Sequence, residues 1–240
     1  MVTGKETNNA PIRFKHSPEY FEILSVHQQY LQEPSDITEH LFAMTLLLEY
    51  NPANYTLWVQ RRDRLPEAFS TTAYTPEDEL TWLKGVVAKH QKCFQAWHHF
   101  KALLSFLSYN FLEDQEILSL VDAEPKNMHF WGFFVFAVKD TSHLGAALSF
   151  TEGFISKDVR NNSAFAARHA VLSRMLQAGA KPEHLLQEEK AFLLRLPHLT
   201  HNAAFWNYVS ALSRAHPQAH LMKACCKSLR SVSLPKYHED

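Results

Sequence analysis

Lys92, Gln95, His98 and His99 crowd around one tryptophan in the stretch HQKCFQAWHHF, residues 90–100. Side chains of these types could do two kinds of chemistry. A lysine and a glutamine three positions apart share one face of a helix and could hold an anion, the ammonium by charge and the amide by a directed hydrogen bond. Adjacent imidazoles look like a metal pair, but neighbouring helix positions diverge by about 100° and do not readily grip one ion. His98 and His99 are therefore read as packing or interface residues, and no metal is assigned to this chain. Trp97 lies about 200° around the helix from Gln95, so it points away and is the packing anchor. Cys93 has no paired histidine and acid to activate it, which reads as packing and not as a nucleophile.

The elements that must position these residues are helices. In TPEDELTWLKGVV, Thr75 can N-cap, Pro76 suits the first turn, and Glu77 and Asp78 favour the positive end of the helix. Leu80, Leu83, Val86 and Val87 then recur at helical spacing. Similar starts fall at Asp36 and Pro182, and no run of strand alternation is bounded by hairpin turns. Aromatic anchors Trp58, Trp97, Trp131, Phe165 and Trp206 stand 39, 34, 34 and 41 residues apart. That period signals stacked helical hairpins, each unable to bury its apolar face alone. Four residues before the anchors lie Asn54, Cys93, Asn127, Asn161 and Asn202, a column of helix caps broken once. One residue earlier lie Ala53, Lys92, Lys126, Arg160 and His201. Lys92, Lys126 and Arg160 would stack as a cationic strip at helix starts, where unpaired N–H groups already favour anions.

Composition limits the function classes. A chain of 240 residues with 46% hydrophobic and 12% aromatic content folds around a substantial core. A formal net charge of −1 offers no global field for nucleic acid, and six glycines are too few for the glycine-rich turns of a nucleotide fold. Three cysteines, two of them adjacent (Cys225 and Cys226), suit a reducing compartment. The N-terminus lacks the apolar core of a signal peptide. The longest apolar run, FWGFFVFAV from 130 to 138, is about half of a membrane span. The expectation is a cytoplasmic protein with residues 1–17 disordered, one helical-repeat domain over 18–232, and a solvated tail over 233–240.

The repeated blocks resemble the alpha subunit of the protein prenyltransferases, in particular the one shared by farnesyltransferase and type I geranylgeranyltransferase. NYTLWVQRR (54–62) fits the family pattern Asn-Tyr-x-x-Trp-x-x-Arg-Arg throughout. KCFQAWHHF (92–100) and KNMHFWGFF (126–134) fit with changes, and RNNSAFAAR (160–168) and HNAAFWNYV (201–209) match the later repeats. The resemblance spans residues 18 to 230 or so. It implies a right-handed superhelical solenoid, a crescent of antiparallel helical hairpins that wraps a separate beta subunit. It implies transfer of a farnesyl or geranylgeranyl group from the isoprenoid diphosphate to the cysteine of a C-terminal CaaX motif. Zinc would be bound by the beta subunit and magnesium would accompany the diphosphate.

Residue by residue, the resemblance puts Lys92 where a lysine contacts the diphosphate and Gln95 where a glutamine binds the peptide carboxylate. His129 matches a histidine near the diphosphate, and Tyr55 a tyrosine in the peptide exit region. Phe94 and Met128 hold places of family tyrosines in the substrate-binding set, so two hydroxyls are missing. Phe100 and Phe134 replace family arginines. Lys126, Arg160, His98 and His99 are expected at the partner interface. Two alternatives stand beside this reading: a helical-repeat scaffold that catalyses nothing, and the alpha subunit of Rab geranylgeranyltransferase. The second ranks lower, because the chain ends near 240 without room for that subunit's extra domains and its counterpart of Gln95 usually differs.

Overall fold

The computed structural model describes residues 17–33, 36–138, 143–196 and 201–232. Among these there are twelve α-helices and no strand, an all-α helical-repeat fold as expected. The expected N-terminal disorder and C-terminal tail lie outside the described residues, except for Ser17, whose hydroxyl caps the first helix by accepting from the Tyr20 N–H. The chain packs as two compact units that divide between Asp78 and Glu79.

The first unit holds α1 (Pro18–Gln32), α2 (Ile37–Tyr50) and α3 (Tyr55–Phe69). Asp36 caps α2 and Asn54 caps α3 through their side-chain oxygens. The core is held by Arg61, which is 1% exposed yet donates to the Leu41 carbonyl, Thr45 Oγ1 and the Tyr74 hydroxyl. A buried guanidinium is tolerable only when its donors are met in this way. Beside it, the His27 and His40 rings bond through Nδ1 and Nε2 at 2.8 Å, and Tyr30 stacks on His40 at 3.8 Å.

Helix α4 (Pro76–Lys89) starts at the division between the units. Its start is a reciprocal box: Thr75 Oγ1 accepts from the Asp78 N–H, and Asp78 Oδ2 accepts from the Thr75 N–H. The second unit continues with α5 (Phe94–Leu103), α6 (Gln115–Ala123), α7 (Met128–Ala137) and α8 (Leu144–Lys157). It ends with α9 (Asn162–Gln177), α10 (Pro182–Arg195), α11 (Ala203–Ala215) and α12 (Leu221–Val232). Helices α5, α7, α9 and α11 pack in succession, one per repeat.

The asparagine column explains the repeat. Asn127, Asn161 and Asn202 cap α7, α9 and α11 with the amide oxygen. With the amide nitrogen they donate to Gln91 O, Pro125 O and Val159 O in the turn of the preceding repeat. The anchor indoles meet the same turns: Trp97 Nε1 donates to Gln91 O and Trp131 Nε1 to Pro125 O. Each of those two carbonyls thus accepts two bonds, which fills both lone pairs.

The apolar run 130–138 is a core helix. Phe130, Trp131, Phe133 and Phe134 are all buried, and no described helix is long and apolar enough to cross a membrane. Phe100 and Phe133 sit with ring centroids 4.5 Å apart, so the positions where the repeat motif has arginine are filled with aromatic packing here. Two repeats on, Arg168 restores the polar solution: it donates to Glu189, the Leu148 carbonyl and Thr151, and lies 4.0 Å over the Phe192 ring. One anchor differs from expectation. Trp206 is only half-buried, because Phe205 and Tyr208 take the core place against Phe165.

Two outcomes follow. Asn161→Ala removes a cap and a cross-repeat donor at a fully buried site, so urea denaturation should show a loss of about 2 kcal/mol. Asn161→Asp, which keeps the acceptor but not the donor, should recover only part of it. The second concerns pH. Burial, reinforced by His27, Arg64 and Arg61, lowers the His40 pKa from 6.5 to about 4. The folded state therefore takes the neutral ring; stability is complete above 6.5 and falls as pH drops toward 4. Wild type should lose on the order of 2 kcal/mol more than His40→Gln across that window, measured by urea titration at each pH.

Candidate functional site

The candidate site lies in the second unit at the starts of α5 and α7. Cys93 is the N-cap of α5 but makes no side-chain capping bond, so this helix start lacks the amide lid of its neighbours. Its thiol instead lies 3.5 Å from Gln95 Oε1. Lys92, just outside the cap, is exposed, Gln95 is half-buried, and Trp97 is 1% exposed on the opposite side. The helical division of labour among these three residues is as the spacing predicts.

Helix α7 brings the second part. The His129 N–H donates to the capping Asn127 Oδ1, and its half-buried ring meets the Phe94 ring edge-on at 6.2 Å. Phe94 also stacks on His98 at 5.9 Å. Phe94 and Met128, each the first residue of its helix, are 56% and 71% exposed, an unusual amount of apolar surface for side chains with a core available. Lys92, Gln95, Phe94, His98, Met128 and His129 thus share two adjacent helix starts. Tyr55, also exposed, begins α3 in the first unit.

The cationic strip exists but is not bare. Lys92 Nζ lies 3.6 Å from Glu124 Oε1, and Lys126 Nζ lies 2.8 Å from Asp158 Oδ2. The Asp158 carboxyl is held below its usual range mainly by that lysine and by the Arg160 N–H. Arg160 is exposed, one residue before the α9 cap. The two acids follow their lysines by the same interval of 32 residues, a signal present in the sequence that the motif reading passed over. The Lys92 pair is the looser and both partners are well exposed, so an incoming anion can displace Glu124 at little cost.

His99 corrects an expectation. It is fully buried, with Nε2 2.6 Å from Glu79 Oε1 and its ring edge-on to Trp82, so it ties α5 to α4 and cannot meet a partner. His98, one position earlier, faces out. The 100° step between neighbours, used to reject a metal pair, is the reason that one is core and the other surface. Among the described residues no group of three or more His, Cys, Asp or Glu could hold a metal ion.

What this arrangement can do chemically is bind an anion at a helix start without a side-chain cap and at a displaceable lysine, with an amide and an imidazole beside it. It is open and apolar at its rim.

Comparison with known proteins agrees. The model of the protein prenyltransferase alpha subunit repeat matches residues 76–107, which contain α4, α5 and the Lys92–Gln95 segment. The chain is 30% identical over 89 residues to the protein farnesyltransferase/geranylgeranyltransferase type-1 subunit alpha of Schizosaccharomyces pombe. That match covers 36% of this chain and 26% of the yeast protein, about a quarter of its length. A solved structure, Candida albicans protein geranylgeranyltransferase-I complexed with GGPP, superposes with a TM-score of 0.69 at 19% identity. The superposition covers 92% of this chain and 80% of that one and speaks for the fold alone. Residues 76–107 thus match the protein prenyltransferase alpha subunit repeat, and the fold over nearly the whole chain is similar to that of the Candida albicans structure.

Proposed function

We propose that this chain is the alpha subunit of a heterodimeric protein prenyltransferase, active only with a beta subunit. The pair transfers a farnesyl or geranylgeranyl group from the isoprenoid diphosphate to the cysteine of a C-terminal CaaX motif. The observation that carries the reading is the juxtaposition of Lys92, Gln95 and His129 on two adjacent, exposed helix starts, joined by the Phe94–His129 contact. A scaffold that only binds protein has no need of those types on one wall.

In prenyl transfer the thiolate sulfur bonds to the first carbon of the allylic chain as the carbon–oxygen bond to diphosphate breaks. Negative charge accumulates on the departing oxygens. Lys92, released from Glu124, meets that charge, and the N–H groups at the α5 start add to it without reorganisation. His129 lies beside this position and could donate to a diphosphate oxygen from its ring. Gln95 offers the peptide carboxylate a neutral, directional hydrogen bond, which orients the CaaX end without holding product too firmly. Tyr55, in the first unit, has only the family pattern to tie it to the peptide exit. The phenolic donors that tyrosines at 94 and 128 would supply are absent, which concentrates transition-state stabilisation on Lys92, His129 and the partner.

This chain supplies no donor set for zinc or magnesium among its described residues. In the assembled enzyme the beta subunit would hold zinc, which keeps the substrate cysteine as thiolate, and magnesium would neutralise part of the diphosphate. The choice between farnesyl and geranylgeranyl also falls to the beta subunit, and the assembly would work in the cytoplasm.

The test is prenyl transfer to a CaaX peptide by this chain alone, a beta subunit alone, and the pair. Activity should appear only in the pair. Lys92→Ala should lower kcat roughly a hundredfold, about 3 kcal/mol. Gln95→Leu should raise the peptide KM severalfold with a smaller effect on kcat, because the amide binds ground state and transition state alike. Tight association without turnover for either isoprenoid would leave the scaffold reading.

A further inference from the structure

Lys101 lies on the α5/α7 face, beyond Phe94 and His129. In the second unit Lys84, Lys92, Lys126 and Lys157 each have a carboxylate of the same unit within 4 Å: Asp114, Glu124, Asp158 and Asp122. Lys101 is half-buried, and none of the described carboxylates is ion-paired with it. Its ammonium rests 5.8 Å from the centroid of the Phe136 ring and 3.7 Å from where a side chain at Gly132 would begin. Burial shifts its pKa downward. A desolvated ammonium beside an aromatic ring is incompletely satisfied.

The surroundings say from which side a partner would come. Lys101 opens onto a cavity of about 460 Å³ with Leu104, Ser108, Tyr109, Asn110 and Phe136 on its walls. The Tyr109 hydroxyl is committed to Asp114 and the Asn110 amide to Glu113, so neither competes for an anion at Lys101. The cavity continues the face that carries exposed Phe94, His98 and Met128, and Phe136 at its edge is 44% exposed. Gly132, between His129 and Phe136 on α7, leaves the ammonium uncovered along that face. A face with exposed Phe94, Met128 and Phe136 beside a cation that no described carboxylate pairs fits a partner surface that carries apolar side chains and one carboxylate.

We propose that Lys101 is the socket for an acidic side chain of the beta subunit, so that the α5/α7 face is a subunit-docking surface as well as a substrate wall. This rests on the heterodimer reading above. It adds a residue outside the diphosphate and peptide contacts, and it fixes which face the partner covers.

The experiment measures association of the full-length chain with a prenyltransferase beta subunit, at low and high salt, for wild type, Lys101→Met and Lys101→Glu. Thermal melting of each isolated variant reports on folding. Lys101→Glu should weaken association by about tenfold or more, Lys101→Met by less, and both should flatten the salt dependence while melting stays near wild type. A partner Asp→Lys or Glu→Lys change that rescues Lys101→Glu would identify the acid. Equal association for all three proteins overturns the proposal and leaves the heterodimer intact. If inorganic phosphate raises the melting temperature of wild type but not Lys101→Met, and association is unaffected by either substitution, the socket serves a free anion and the proposal fails. No complex with any beta subunit overturns both this inference and the function it rests on.

Discussion

A primary amide placed just before a helix constrains most of the second unit. Its oxygen accepts from the free N–H groups of its own helix, and its nitrogen donates to a carbonyl in the preceding turn. Only asparagine has both groups at this reach. Aspartate lacks the donor, and serine cannot span the gap. The same carbonyls take the indole N–H of the anchor tryptophans, so one turn is locked to its own repeat and to the next. The spacing of roughly 34 to 41 residues is the chain length needed to return to that position after one hairpin. Hydrophobic burial drives the stacking, and this hydrogen bond fixes its register.

Where the amide is lost, reactivity can enter. At Cys93 the repeat keeps the anchor tryptophan and the donated indole bond but not the side-chain cap, so the α5 start has backbone donors that no capping side chain occupies. That is the helix start flanked by Lys92 and Gln95. The cap column therefore has a gap at the point where the proposed chemistry needs free donors. The unit tolerates starts without a side-chain cap at α5, α8 and α10, each worth on the order of 1 kcal/mol.

The core shows two answers to one geometric position. Arg61 and Arg168 fill it with a guanidinium bonded to a carbonyl 20 residues earlier and to a nearby threonine. Phe100 and Phe134 fill it with rings, and both are fully buried. The buried arginines demand every donor be met, because a lone guanidinium in the interior costs several kcal/mol. The aromatic version needs only volume, which other rings supply: Phe133 packs on Phe100, and Phe111 and Phe150 pack on Phe134. The absence of arginine from the middle repeats is thus a repacked core.

The periodic residues determined the helical class, the caps and the anchors, because capping and burial are local demands that recur at every repeat. Thr75, Asp36 and the four asparagines cap where their spacing places them. Lys92 and Gln95 could be separated from Trp97 by the angle between helix positions alone. The sequence could not say that His99 is core and His98 surface, since both fit the same stretch and only the position of Glu79 on α4 decides. Nor could it place Phe205 and not Trp206 in the core, or leave Lys101 with no described carboxylate ion-paired to it. Those outcomes depend on how residues far apart in the chain meet, and a one-dimensional pattern carries the period of the helices but not the identity of the side chain that the next helix brings opposite.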